Sequence, residues 1–118
     1  MPKYIDGFLL PIPKKKIEAY KKMSTQAGKI WKKHGALQYR ECVIEHPEIE
    51  GMLPFGKVVK PKAGETIVFS WIVYKSRAHR DKVNAKVMKD PGLVCDPNNM
   101  PFDCKRMAYG GFEVFVDL

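Results

Sequence analysis

The sequence predicts an α+β domain whose elements follow in the order strand, helix, strand, strand, helix, strand. Three observations predict it. The segment Thr66–Tyr74 (TIVFSWIVY) is β-branched, aromatic and apolar on both faces, the pattern of a central strand. A helical period runs from Lys14 to about Lys33, and a second helical segment follows Ser76. The remaining apolar segments, Tyr4–Leu10, Ala36–Glu45 and Lys105–Val116, are short and bounded by turn-forming residues.

Each element has a local reason. Tyr4–Leu10 reads as a strand, with Asp6 and Gly7 inside it, and Pro11-Ile12-Pro13 is expected to stop it and open the first helix. In that helix Ile17, Tyr20, Ser24, Ala27 and Trp31 fall three and four apart. Met23 and Ile30 flank the stripe, and the lysines take the other side. His34-Gly35 ends it, with Gly35 suited to the left-handed position past a helix end. Ala36–Glu45 alternates as a second strand. The stretch from His46 to Gly64 holds three prolines and three glycines and reads as loop, with Phe55–Lys60 a short extra strand or extended arm. Ser76 is a suitable N-cap for a second helix reaching about Asp90. Its inward stripe would be Arg80, Val83, Asn84, Val87 and Met88, which is polar for a core face. Pro91–Asp103 is irregular. The last strand, Lys105–Val116, is interrupted by Gly110-Gly111, which points to a bulge or a close backbone approach.

Two right-handed βαβ crossovers folded together give the split-βαβ, ferredoxin-like sandwich, an antiparallel sheet of order 4-1-3-2 with two helices on one face. Residues 1–118 make one such domain, a length that needs no disulfide or metal staple. The order requires strands 1 and 3 to be central and strands 2 and 4 to be edges. TIVFSWIVY is accordingly apolar, and LQYRECVIE and KRMAYGGFEV carry charges. On the third strand Ile67, Phe69, Trp71 and Val73 point one way and Val68, Ser70, Ile72 and Tyr74 the other, and neither set suits water. Two helices cover one face only. A second copy is the simplest cover for the other, so a symmetric sheet-on-sheet homodimer is expected.

Charge and cysteine content narrow the class. The net charge is +8, and eight lysines against one acid, Glu18, lie between Lys14 and Lys33. A solvated lysine-rich helix back explains this, and a surface for a polyanion is the alternative. Cys42, Cys95 and Cys104 form no CxxC and no even set, which argues for reduced thiols. Of the three, Cys104 has the most cationic neighbours, Lys105 and Arg106. No apolar run approaches the length of a membrane span, and the first residues lack the apolar core of a signal peptide, so the cytoplasm is expected.

No nucleotide, metalloprotease or nucleophile-elbow motif is present, and no Cys/His set has metal spacing, so neither metal nor cofactor is expected. His34, His46 and His79 read as surface histidines. What remains is polar residues in apolar settings. Asp6 lies in a central strand, and Arg80 and Asn84 lie one turn apart on an inward stripe with Asp81 beside them. Asp103, Lys105 and Arg106 cluster at the start of the last strand, and Arg40 and Glu41 lie in the second. Buried charges must be paired with each other or with a ligand. A salt-bridge network is one reading. The other is a pocket between sheet and helices for a small organic molecule, with Asp6, Trp71, Arg80, Asn84, Asp103 and Arg106 as candidate ligand-binding residues and an Asp or His able to move a proton. Nothing in the spacing decides whether the chain is an enzyme.

Several groups of residues carry a resemblance. They are Tyr4-Ile5-Asp6-Gly7-Phe8, Phe69-Ser70-Trp71 with Tyr74, Arg80-Asp81 with Asn84, Met88 with Asp90-Pro91, and the stretch MPFDCKRMAYGGF from Met100 to Phe112. Over essentially its whole length the chain resembles the YbaA-like family, domain of unknown function 1428. That resemblance implies the dimeric α+β barrel, a ferredoxin-like homodimer also used by small monooxygenases, isomerases and stress proteins. It implies no activity.

Three functions are therefore open: a small-molecule site in each protomer of a dimer, a dimer without a ligand, and RNA binding. The element order is shared with the RNA-recognition fold and the chain is basic. Strand 3, however, lacks the aromatic signature of that fold, and its stacking face is expected to be covered. Nonspecific, salt-sensitive contact through the first helix is what the lysines would give.

Overall fold

The computed structural model describes residues 1–93, 96 and 99–118. Strands β1 (Tyr4–Pro13), β2 (Gln38–Val43), β3 (Glu65–Tyr74) and β4 (Ala108–Glu113) form one sheet of order β2-β3-β1-β4, antiparallel throughout. Helices α1 (Ile17–Lys33) and α3 (Arg77–Met88) cover one face. A short helix, α2 (Phe55–Val59), lies between β2 and β3 in the chain. The fold is the ferredoxin-like α+β sandwich that the element order requires.

β1 runs three residues further than its composition suggests, through Pro11-Ile12-Pro13. The register shows why. β4 pairs with β1 only from Tyr4 to Leu9, so beyond Leu9 the strand has β3 as its one neighbour. Proline is tolerated there, because its missing N–H can face the unpaired side. Leu10, Pro11 and Ile12 are fully buried, so hydrophobic contact holds the strand straight where proline would otherwise end it. The first helix consequently starts later, after a 3₁₀ turn at Lys14–Lys16.

The helices turn the expected stripes inward, but only part of each is buried: Ile17, Ala27 and Trp31 of α1 and Arg80 and Asn84 of α3 are half-buried. Tyr20, Ser24 and Gly28 of α1 face the sheet, and Gly35 follows its end with φ 116°. The Ser76 hydroxyl accepts from the His79 amide and caps α3. Of the stripe read for α3, Val83 and Val87 are core, whereas Met88 is exposed. One core cluster gathers Ala36, Ile72, Tyr74, Val83 and Val87, and a second gathers Leu10, Ile12, Tyr20 and Val68.

Two local readings need correction. The piece Phe55–Lys60 is helix α2 rather than a strand or arm. Its last turn closes on Lys60, which has φ 56°. Phe55 packs tilted against Phe69 of β3 with ring centroids 6.2 Å apart, so the loop covers part of the sheet's second face. Gly110-Gly111 is not a bulge, since Gly7↔Gly110 and Asp6↔Gly111 pair in unbroken register. The glycine at 111 answers a close approach instead, because a Cβ there would run into the Tyr4 hydroxyl. Of the last loop, Val94, Cys95, Pro97 and Asn98 lie outside the described residues.

Candidate functional site

The sheet's helix-covered face carries Tyr4, Asp6, Phe8, Leu10 and Ile12 of β1 and Val68, Ser70, Ile72 and Tyr74 of β3, as strand alternation demands. Asp6 is 1% exposed. Its Oδ1 accepts from the Tyr109 hydroxyl at 2.9 Å and from Arg80 Nη1 at 3.3 Å. The same Arg80 nitrogen donates to the Tyr109 oxygen at 2.7 Å, and the guanidinium lies over the Tyr4 ring. Arg80 Nε sits 2.9 Å from Asp81 on the outer side. The network pairs the buried charges with each other, although Arg80 Nε, close to Asp81, makes no well-aligned hydrogen bond. Asn84 stands one step away: its Oδ1 accepts from Trp31 Nε1 at 3.1 Å and from the Tyr74 hydroxyl at 3.2 Å, tying α1, β3 and α3 together.

The other sequence candidates are not brought to that network. Trp71 shares the opposite face with Phe69, whose ring meets it edge-on at 5.6 Å. Asp103 accepts from the Lys105 amide and caps a 3₁₀ turn at Cys104–Arg106. Arg106 makes a two-pronged pair with Glu65, 2.8 and 2.9 Å, and donates to the Lys60 carbonyl, at the far end of β1 from Asp6. Among the histidines, His34 is bound to Asp90 at 2.7 Å and His79 accepts from the Lys75 amide, so only His46 is a plain surface histidine.

A cavity of about 260 Å³ does lie between the sheet and the helices. Its walls are largely aromatic and methionine side chains, including Phe8, Trp31, Phe102, Met23 and Met107. Two charged residues of β2 border it, Arg40 and Glu41; Glu41 shares the helix side of the sheet and is paired in register with Ser70. The Tyr20 hydroxyl of α1 donates to Glu41 Oε1 at 2.8 Å, and the Tyr39 hydroxyl donates to Oε2 at 3.0 Å. Burial pushes the Glu41 carboxyl above the usual carboxylate range, against the hydrogen bonds from Tyr20, Tyr39 and Ser70. Burial, and then the neighbouring Glu41 charge, push both phenols up as well, so they act as neutral donors. Among the described residues no lysine, arginine or histidine nitrogen forms an ion pair with Glu41.

Tyr39 is held in place from α1. Its ring lies on Gly28, where a Cβ would come within 2.6 Å of it, and beside Trp31 with centroids 6.1 Å apart. Sequence reasoning singled out Glu41 as a polar residue in a strand but did not connect it to Tyr20 or Tyr39. The available signal was the Tyr39-x-Glu41 alternation, which puts both side chains on one strand face, opposite a helix stripe that contains Tyr20.

The second face of the sheet is apolar. Ile5, Gly7, Leu9, Phe69, Trp71, Ala108, Gly110 and Phe112 line an open groove on it. Phe112 is 59% and Phe69 43% exposed. The eight lysines of residues 14–33 are all exposed, and they belong to the helical layer on the other side of the sheet.

Comparison with known proteins agrees with this architecture. Residues 3–104 match the family described as "Protein of unknown function (DUF1428)". The chain is 42% identical over 115 residues, 98% of each chain, to the uncharacterized protein YbaA of Escherichia coli K12 and to that of Shigella flexneri. The chain belongs to the DUF1428 family. Among solved structures it is similar to a dimeric ferredoxin-like protein from an uncultured marine organism, with a TM-score of 0.62 and 12% identity over the full length of both. That likeness is one of fold. No helix among the described residues of this DUF1428 protein is long and apolar enough to cross a membrane.

Proposed function

We propose that this DUF1428 protein works as a homodimer, paired through the open face of its sheet, and that each protomer holds one small, mostly apolar organic molecule between the sheet and helices α1 and α3. The observation that carries the ligand reading is the Glu41 carboxylate in the wall of an otherwise apolar cavity, held by two phenols from different elements. A cavity with a few converging polar groups and displaced pKa values is the usual anatomy of a small-molecule site. At roughly 30 Å³ per water-sized group the space suits a molecule of about nine such groups. Trp71 borders the site, Arg80 and Arg106 lie away from it, and Asn84 reaches its edge only through Trp31.

Three observations support pairing. The groove around Gly7 and Gly110 is apolar, Phe112 and Trp71 stand on it, and the fold neighbour is itself described as dimeric. Covering such a patch is favourable by about 25 cal/mol for each Å² removed from water. RNA binding is the poorer fit, because the aromatic side chains and the lysines lie on opposite sides of the sheet, whereas single-strand recognition needs both on one surface.

Native mass spectrometry of the purified protein, before and after denaturation, tests both parts. The expected species is a dimer carrying a small extra mass that denaturation releases. Phe112→Glu should convert it to a monomer. A wild-type monomer at micromolar concentration overturns the pairing, and oligonucleotide-sized extra mass would favour RNA.

A further inference from the structure

We propose that the molecule held in the cavity is a small organic cation, an ammonium group on an apolar body, with Glu41 as its counter-charge. This rests on the pocket reading above and adds its chemical class.

The geometry points there in three steps. First, Glu41 is a carboxylate without a cationic partner among the described residues, although the protein carries +8 overall. A charge taken from water is retained where something neutralises it. Second, the donors that reach it, Tyr20 and Tyr39, are neutral hydroxyls, so they orient the carboxylate and leave its charge unbalanced. A carboxylate has about four acceptor positions, so the two phenols leave room for a ligand N–H. Third, the walls around it are Trp31, Tyr20, Tyr39, Phe8 and Phe102, ring systems whose faces attract a cation, with polarisable methionines between them. Arg40 also borders the cavity, but strand alternation turns it from the Glu41 side and it forms no ion pair with Glu41. An organic acid would meet the like charge of Glu41 there.

The lysines do not change this balance. Lys21, Lys29 and Lys32 line an outer groove that shares Ser24, Tyr39 and Glu41 with the cavity. All three are exposed, and Lys32 Nζ is engaged by the Leu37 carbonyl at 2.9 Å. Their field is screened over about 8 Å at physiological ionic strength, whereas a contact pair inside the cavity is screened much less.

The test is a charge series of one shape on the wild-type chain. Calorimetry at pH 7.5 and physiological salt would compare 2-phenylethylamine, 2-phenylethanol and phenylacetate. The ammonium should bind about tenfold or more tighter than the alcohol, which a charge-assisted hydrogen bond with a cation–π contact supplies. Phenylacetate should be weakest. Glu41→Gln should bring the amine down to the affinity of the alcohol and leave the alcohol unchanged. Equal binding of amine and alcohol, or tightest binding of phenylacetate, overturns the cation assignment while the pocket stands. Failure of all three to bind overturns both. Because the ranking is read on the wild-type chain, it does not depend on the variant folding.

Discussion

Replacing Asp6 with Asn removes one charge from the buried Asp6–Arg80 pair without changing its shape. At 3.3 Å the pair attracts by about 5 kcal/mol in an effective dielectric of about 20, and desolvation offsets most of that when both partners are present. Taking away the carboxylate leaves the guanidinium, only 14% exposed, without its inner partner. The cost of stranding a buried charge is about 3–5 kcal/mol. Asp81 lies 2.9 Å from Arg80 Nε and is 62% exposed, which places the expectation at the lower end, about 3 kcal/mol. That corresponds to a fall of roughly 12 °C in Tm for a domain of this size. The double variant Asp6→Asn with Arg80→Met removes both charges and should return to within about 1 kcal/mol of the wild type. Urea unfolding followed by far-UV circular dichroism, at one fixed protein concentration because a dimer's midpoint depends on it, measures all three. A single variant losing under about 1 kcal/mol, or a double variant no better than the single, would show that the network does not couple as its geometry requires.

Three other perturbations read different parts of the molecule. Gly28→Ala puts a methyl group where the Tyr39 ring lies, so the ring must leave Glu41 or α1 must lift; a loss of about 1–3 kcal/mol and a changed Trp31 environment in near-ultraviolet circular dichroism are expected, and an unperturbed spectrum would count against the contact. Glu41 has a folded-state pKa above its ordinary value, so its contribution is fully present below the unfolded pKa and is lost as pH rises through the folded one. Glu41→Gln should therefore flatten the decline in stability above about pH 4.5, the ordinary value, and an unchanged slope refutes that sign. Asp90 behaves oppositely: the His34 hydrogen bond first, then the Gly92 amide and Lys33, lower it from 3.8 to about 2, so its stabilising effect is present above 3.8 and lost as pH falls toward 2. Asp90→Asn should be less stable at neutral pH and should lose less on acidification, which an acid titration of the two proteins will read directly.

The element order, the two central strands and the faces of β3 were legible in the residues alone, because strand and helix periodicities are local properties of neighbouring residues. Gly35 and Ser76 announced their helix ends for the same reason: a cap is written within a few residues of the position it serves. Asp6 and Arg80 were legible as residues that must be neutralised, since burial of a charge is costly anywhere in a core.

Which groups meet was decided only by the tertiary structure. Tyr109 meets Asp6 across a sheet pairing, and Tyr20 meets Glu41 across a helix–sheet contact, so neither meeting has a spacing in the sequence. Trp71 borders the cavity but not Arg80 and Asn84, because alternation says which residues share a face but not which face the helices take. Pro11 illustrates the reverse case. A local rule stops the strand there, but the register ends β4 at Leu9, and burial of Leu10 and Ile12 carries the chain past the proline. The cavity follows the same physics: it is space left between layers, set by how far α1, α3 and the sheet stand apart, and no single segment encodes that distance.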